Sequence, residues 1–294
     1  MMFRKFLGLV TFATLLALFA QNLYSQDFNI GVLAPRGVLN ASARWQEFGN
    51  YLSTQLGKNI KIIPLEPAKV IAASNHQKID FLLSHSPHTV YVQEKLGAKV
   101  LATLNTKAGP KFGGVIISKK GSGITTSDAL KGKNVMSLKF KAAAGAYIFQ
   151  TYHLHEKGID PHKDFASLRE GKKQDDLVLA VKNGFIDAAF VRTGLLENMQ
   201  REGKISLSDF EIVDRKDSDG FALLHTTALY PEWCFSALAH ISVSDAENMT
   251  QTLMKINSDM PAAKKAKIQG FVAPMELAGI KEALKSLHIA PYQI

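Results

Sequence analysis

The sequence predicts an α/β fold built as two open, mostly parallel sheets, each flanked by helices, facing each other across a cleft. Three observations carry this expectation. Short apolar runs alternate with segments of helical period, which is the grammar of a parallel sheet with covering helices. Two of the runs, Ile79-Asp80-Phe81-Leu82-Leu83 and Ile186 to Val191, lead straight into polar residues that open a helix: Ser84-His85-Ser86-Pro87-His88 in one case, Arg192-Thr193 in the other. Breaker-rich stretches, Lys107-Ala108-Gly109-Pro110-Lys111 and Asp214 to Gly220, interrupt the alternation twice, as two crossovers between sheets require. At the carboxyl edge of such a sheet, loops and helix N-termini point N–H groups into a crevice, which is where ligands bind.

Taken in order, Phe28 to Ala34 is a strand ending in Pro35-Arg36-Gly37. Asn40 or Ser42 is positioned to cap the next helix, in which Trp45, Phe48, Tyr51, Leu52 and Leu56 recur at helical spacing until Gly57-Lys58-Asn59 stops it. Ile60 to Leu65 alternates as a strand, and Glu66-Pro67 starts a helix that runs to Asn75. The strand Ile79 to Leu83, a helix after Pro87 and a strand Val100 to Leu104 complete a β-α-β-α-β unit. After the first crossover come a strand from Phe112 to Ser118, a one-turn helix from Ser127 to Gly132, and a strand from Asn134 to Leu138. A helix is expected from Ala142 to about His155. Leu177, Val178, Ala180 and Val181 mark another, which Asn183-Gly184 ends before the strand Ile186 to Val191. A helix with Leu195, Leu196 and Met199 on one face follows. Beyond the second crossover, helical segments are expected around Met249 to Met260 and Pro274 to Leu287, and the chain shows no tandem repeat.

Composition narrows the function. The 294 residues are 46% apolar and 21% charged, a globular balance with room for two domains. Arg4 and Lys5 precede the apolar run Phe6 to Ala20 and a polar stretch from Gln21 to Gln26, a secretory signal peptide over residues 1–25. The run is short of the roughly 20 apolar residues a membrane span needs, and no later segment is apolar enough to cross a bilayer. Cys234 is the only cysteine, which excludes an intrachain disulfide and a lipid-bearing cysteine after the leader. The formal charge is +9, two of it from Arg4 and Lys5, with the lysines spread out rather than bunched with aromatics. Attraction for small anions is the expected consequence and nucleic acid is not an expected partner.

Arg36 follows the first strand beside two breakers, where a guanidinium can grip an oxyanion with two parallel hydrogen bonds or simply occupy a surface turn. Arg192 with Thr193 has the same placement in the second sheet, with an ion pair to Asp187 or Glu197 as the rival. Ser84, Ser86 and His88 offer donors beside a helix start, unless Ser86 serves only as its cap. Lys139 and Lys141 add positive charge in the loop after Leu138. No metal is expected: His153 and His155 point to different faces of a helix, and His85 and His88 lack a third ligand. Cys234, between Trp233 and Phe235, is by default a buried thiol. No cofactor is expected either, and catalysis has little support, because the chain contains no G-x-S-x-G elbow, P-loop or G-x-G-x-x-G fingerprint, which leaves an exported enzyme as the least favoured reading.

Gly31-Val32-Leu33-Ala34-Pro35-Arg36-Gly37, Ser86-Pro87-His88, Asp128-Ala129-Leu130-Lys131-Gly132-Lys133 and Ala180-Val181-Lys182-Asn183-Gly184, in this order and spacing, resemble the phosphate/phosphonate-type periplasmic substrate-binding proteins. Within that group Val191-Arg192-Thr193 and Leu229-Tyr230-Pro231-Glu232-Trp233 look most similar to the periplasmic sensing domains of tetrathionate-sensor-like histidine kinases. The resemblance implies a type II binding-protein fold with two lobes, residues 26–109 plus 218–294 and residues 110–217, joined by two hinge crossovers. It also implies a periplasmic location, a small anionic ligand, and a membrane permease or a sensor kinase as partner. Ligand contacts then map onto the loops after Ala34, Leu83, Leu138 and Val191. Where phosphonate binders carry a run of hydroxyls, however, this chain has Lys141-Ala142-Ala143-Ala144-Gly145, which argues against phosphonate itself.

Overall fold

The computed structural model describes residues 27–293, so the expected leader lies outside the described residues. Strand β1 (Phe28–Leu33) runs into α1 (Val38–Leu56), β2 (Ile60–Leu65), α2 (Val70–Asn75), β3 (Phe81–Ser84), α3 (Ser86–Leu96) and β4 (Lys99–Asn105). The chain crosses through β5 (Lys111–Phe112) to β6 (Gly114–Lys119), β7 (Asn134–Ser137), α4 (Ile148–His155), α5 (Pro161–Asp164) and β8 (Ser167–Glu170). It continues with α6 (Gln174–Lys182), β9 (Ala188–Arg192), α7 (Leu195–Arg201) and β10 (Phe210–Ile212). The return passes through β11 (Lys216–Ser218), β12 (Phe221–His225) and β13 (Tyr230–Pro231) to β14 (Cys234–Ala237). The last elements are α8 (Val243–Met254), α9 (Pro261–Ala266), β15 (Gly270–Val272) and α10 (Ala278–Ser286).

Two sheets result, one ordered β15-β4-β14-β3-β1-β2 and the other β10-β6-β9-β7-β8. In the first, β1 is parallel to β2 and β3, and β14 runs antiparallel between β3 and β4. In the second, β7 is parallel to β8 and β9, while β6 runs antiparallel between β9 and β10. Each sheet thus repeats one plan: second strand, first, third, a reversed strand, fourth. The reversed strand is in each case the one that follows a crossover, so a repeat invisible in the sequence is present in the topology. The crossovers run side by side, with β5 and β13 paired antiparallel and the Glu232 amide donating to the Pro110 carbonyl at 2.8 Å. The two-lobed α/β architecture expected from the sequence is therefore the one observed.

The apolar periodicity of α1 has its expected outcome in the core. Trp45, Phe48 and Leu52 are at most 1% exposed. Phe48 meets Phe235 and Phe271 at ring-centroid distances of 6.3 and 5.9 Å, and Phe81 meets Phe28 at 5.2 Å. Such pairs each add about 0.5–1.5 kcal/mol beyond area burial.

Several expected boundaries move. Gly37, at φ +90°, is the N-cap residue of α1; Asn40 lies inside the helix and its side-chain amide donates to the Arg36 carbonyl at 2.8 Å. The helix expected from Ala142 starts only at Ile148, preceded by a 3₁₀ turn over Ala144–Ala146. The reason is close packing: a Cβ on Gly145 would lie 2.9 Å from the Gly113 carbonyl and 3.2 Å from both Arg192 Cγ and the Phe112 ring. In the last stretch α8 ends at Met254, α10 begins at Ala278, and the intervening β15 was not expected at all. Gly270 opens β15 at φ +136°, with its Cβ position only 2.3 Å from the Ile256 carbonyl oxygen. Gly270→Ala combines that backbone clash with a conformation L-residues avoid, and is expected to cost about 3 kcal/mol; an unchanged urea midpoint would refute this.

The second crossover is tied to the second sheet through Asp214, at φ +46°. Its carboxylate accepts from the Ser127 amide at 3.2 Å, the Ser127 hydroxyl, His153 Nε2 at 2.9 Å and Lys157 Nζ at 2.8 Å. Burial alone would raise its pKa, but these hydrogen bonds outweigh burial and hold it well below the usual carboxylate range.

Candidate functional site

The carboxyl edges of β1 and β3 and the start of β14 bring together residues scattered in sequence. Arg36 follows β1, is largely exposed, and reaches across to Asp175 at the start of α6, with Nη2 to Oδ1 at 3.5 Å. Two turns further on, Arg44 lies over the Trp45 ring at 4.7 Å and the Trp233 ring at 5.9 Å, and its Nε donates to the Ala266 carbonyl at 2.7 Å. Its pKa is pushed down to about 10, by burial first and then by the like charges of Arg192 and Arg36, with Glu232 opposing. Three guanidinium groups from two sheets therefore share one electrostatic neighbourhood.

Arg192 ends β9 of the second sheet. Its Nη2 donates to Glu232, the residue just before Trp233 and β14, and its guanidinium stacks on the Phe112 ring at 4.6 Å. Glu232 is 3% exposed, and its other oxygen accepts from the Trp233 amide at 3.2 Å. The sequence-level rivals for Arg192 are both engaged elsewhere: Asp187 accepts from the Asn134 amide and Glu197 from the Leu224 amide. The partner is a carboxylate 40 residues away, brought in by the second crossover.

At the β3–α3 junction, His85 rather than Ser86 is the N-cap residue, its Nδ1 accepting from the His88 amide at 3.4 Å. The His85 and His88 rings stack at 4.0 Å, and the Ser84 hydroxyl bonds His88 Nδ1 at 2.8 Å. Ser86 is fully buried in the first turn of α3, and its hydroxyl has no hydrogen-bond partner among the described residues. Burial, and secondarily the charge of Arg192, push the His85 pKa down to about 4, with nearby backbone carbonyls opposing. Burial and the neighbouring His85 also hold His88 well below its ordinary value. Both rings are neutral at pH 7, so neither brings a charge to an anion.

Of the expected residues, Arg36, Ser84, Ser86, His88 and Arg192 lie around this junction. Thr193, 2% exposed, is turned into the fold, its hydroxyl accepting from the Gly113 amide at 3.1 Å. Lys139 is exposed and pairs with Glu170 at 3.0 Å. Lys141, at φ +60°, lines a separate 220 Å³ cavity with His155, His162 and His288, between α4 and the segment after α10. The structure therefore does not bring the two lysines to the arginine cluster. Arg44, His85 and Glu232 were missed. The 36–40–44 spacing, which places Asn40 and Arg44 on one helical face toward Arg36, was the available signal for Arg44. Glu232 had none, because its role is set by the crossover.

Among the described residues no group of three or more His, Cys, Asp or Glu side chains is placed to hold a metal ion, and no helix is long and apolar enough to cross a membrane. Cys234 is buried, and burial pushes its thiol pKa up to about 12, which keeps it protonated and unreactive.

Two α/β lobes on paired crossovers, with polar strand ends meeting between them, define a two-lobed solute-binding protein. The chain belongs to the family of periplasmic substrate-binding proteins of phosphonate ABC transporters, whose model matches residues 30–279. That is a family of binding proteins rather than enzymes, and a periplasmic one. Among solved structures, PhnD1 of Prochlorococcus marinus (MIT 9301) in complex with methylphosphonate has a TM-score of 0.71 at 15% identity, covering 90% of this chain and 99% of that one. XAC2383 of Xanthomonas citri bound to ATP has a TM-score of 0.72 at 13% identity, covering 89% and 96%. At such identities the likeness is one of fold. The tetrathionate sensor histidine kinase TtrS of Salmonella typhimurium is 30% identical over 276 residues, 92% of this chain and 45% of that protein. The chain thus spans less than half the length of this relative.

Proposed function

We propose that the lobes, residues 26–109 with 218–294 and residues 110–217, close on a small oxyanion and present the closed form to a membrane partner. The observation that carries this reading is the placement of Arg44 on the Trp233 ring and of Arg192 on Glu232, adjacent residues at the start of β14, with Arg36 reaching from the first sheet to Asp175. Crowding cations is unfavourable in itself, and an oxyanion relieves it while using their forked donors. The partnerless Ser86 hydroxyl supplies an uncharged donor beside them. Ligand binding then shifts an open–closed equilibrium, and only its differential affinity for the closed form drives the shift.

Delivery to an ABC permease follows the family's description. A sensory role beside a histidine kinase is the second reading, favoured by the 30% identity to the tetrathionate sensor kinase along nearly the whole chain. The test is a thermal-shift screen of residues 26–294 against phosphate, methylphosphonate, sulfate, thiosulfate, tetrathionate and small carboxylates. An oxyanion at 100 times its Kd adds about 2.7 kcal/mol, a shift of several degrees. A sulfur oxyanion as the hit supports sensing, a phosphorus oxyanion supports uptake, and no shift with any anion overturns the reading.

Arg36→Ala is expected to weaken binding of the anion found in that screen by about tenfold to a hundredfold, the worth of a hydrogen bond to a charged group. Because Arg36 is exposed and its contact with Asp175 lies at the rim, the unliganded protein should change by less than about 0.5 kcal/mol. Calorimetric titration with parallel unfolding curves checks both halves.

A further inference from the structure

The oxyanion reading leaves one group unexplained. A carboxylate is the last side chain expected against the arginines of an anion cleft, yet Glu232 is buried there and occupies one edge of Arg192. It is not a loose surface partner. Its amide is tied to the Pro110 carbonyl at 2.8 Å and its second oxygen to the Trp233 amide at 3.2 Å, so both crossovers hold it in place. Its field also reaches Arg44. The inner cleft thus carries two guanidinium charges and one built-in anion, with Arg36 outside at the rim against Asp175.

We propose that Glu232 is a specificity-determining residue: a built-in carboxylate that competes for Arg192 and so limits how much negative charge the cleft accepts in a ligand. The proposal rests on the oxyanion reading and adds a sign to it. A ligand seated on Arg192 and Arg44 has a fixed negative charge one guanidinium away. The repulsion grows with the ligand's own charge, so Glu232 disfavours a dianion more than a monoanion of the same shape. A carboxylate serving only to hold Arg192 in position has the opposite consequence, because its loss loosens the arginine and weakens every anion alike.

Perchlorate and sulfate separate the two, being tetrahedral oxyanions of similar size with one and two charges. Glu232→Gln keeps the side chain's shape and its acceptor for the Trp233 amide while removing the charge. A unit charge about 6 Å away, in a partly screened cleft, changes affinity by roughly tenfold per ligand charge. Titration of the whole protein at pH 7 is therefore expected to show Glu232→Gln binding perchlorate about ten times and sulfate about a hundred times more tightly than the wild type. Equal or weaker binding of both anions by a folded Glu232→Gln protein overturns the proposal while leaving the oxyanion reading intact. Binding of neither anion by either protein overturns both. If Glu232→Gln does not fold, the pair is removed together as Arg192→Gln with Glu232→Gln. Loss of the grip and loss of the repulsion then offset, and sulfate affinity stays within about fivefold of wild type; a loss of about a hundredfold overturns the proposal.

Discussion

Replacing Arg192 with methionine is expected to destabilise the unliganded protein by about 2–4 kcal/mol, far more than the loss of Arg36. The difference lies in what is left behind. Arg36 abandons a carboxylate that water reaches, whereas Arg192 abandons Glu232, whose side chain is 4% exposed. Breaking a buried pair from one side typically costs 3–5 kcal/mol because the remaining charge is desolvated and unpaired. The lower range applies here because the Arg192 side chain is itself 38% exposed. Removing the partner as well, in Arg192→Met with Glu232→Gln, should restore most of the loss. Urea unfolding of the single and double variants checks this, and equal stabilities for Arg192→Met and wild type would mean that Glu232 finds other solvation. The single variant is consequently a poor probe of ligand contact, since it confounds binding with folding.

Acidification is expected to destabilise the protein through His85 before the carboxylates titrate. The ring is buried and neutral, with a pKa of about 4 in the folded chain against an ordinary value of 6.5. Protons therefore bind the unfolded chain first as the pH falls. Stability from this group is complete above about pH 6.5, declines between 6.5 and 4, and changes no further below the folded value. Between pH 7 and pH 4.5 the loss from His85 alone is about 2 kcal/mol. His88, shifted the same way, adds to it. Unfolding curves for wild type and His85→Gln at the two pH values isolate the effect; an identical pH dependence in both proteins would exclude His85 as its source.

The parts of the molecule that could be read from the sequence are those with local causes. The apolar period of α1, the runs forming β1, β3 and β9, and the breakers at both crossovers report packing between residues close in the chain. The parts that could not be read depend on distant partners. β14 is four residues long and wedged between β3 and β4, more than 100 residues earlier, so no local pattern announces it. The Ala142 segment has helical composition, yet close packing of Gly145 on Phe112 and Arg192 overrides that preference. The site divides along the same line. Arg36 and Arg192 stand at strand ends and were visible as such, whereas the pairing of Arg192 with Glu232 exists only because the second crossover returns beside the first. Lys139 pairs with Glu170 and Lys141 lines a separate cavity, because a lysine's place in a loop does not fix which way its side chain faces.

The reversed strand in the middle of each sheet also imposes an order of assembly. All five strands of the second sheet are encoded between Gly114 and Ile212, a span that can pair completely as soon as it exists. The first sheet lacks a central member until Cys234–Ala237 has been made, and until then β3 and β4 have no strand to join them. In a chain emerging from its N-terminus, the half encoded first is thus the half that must wait. Its apolar edges stay unpaired in the interval, the condition under which nascent chains aggregate or require a holdase.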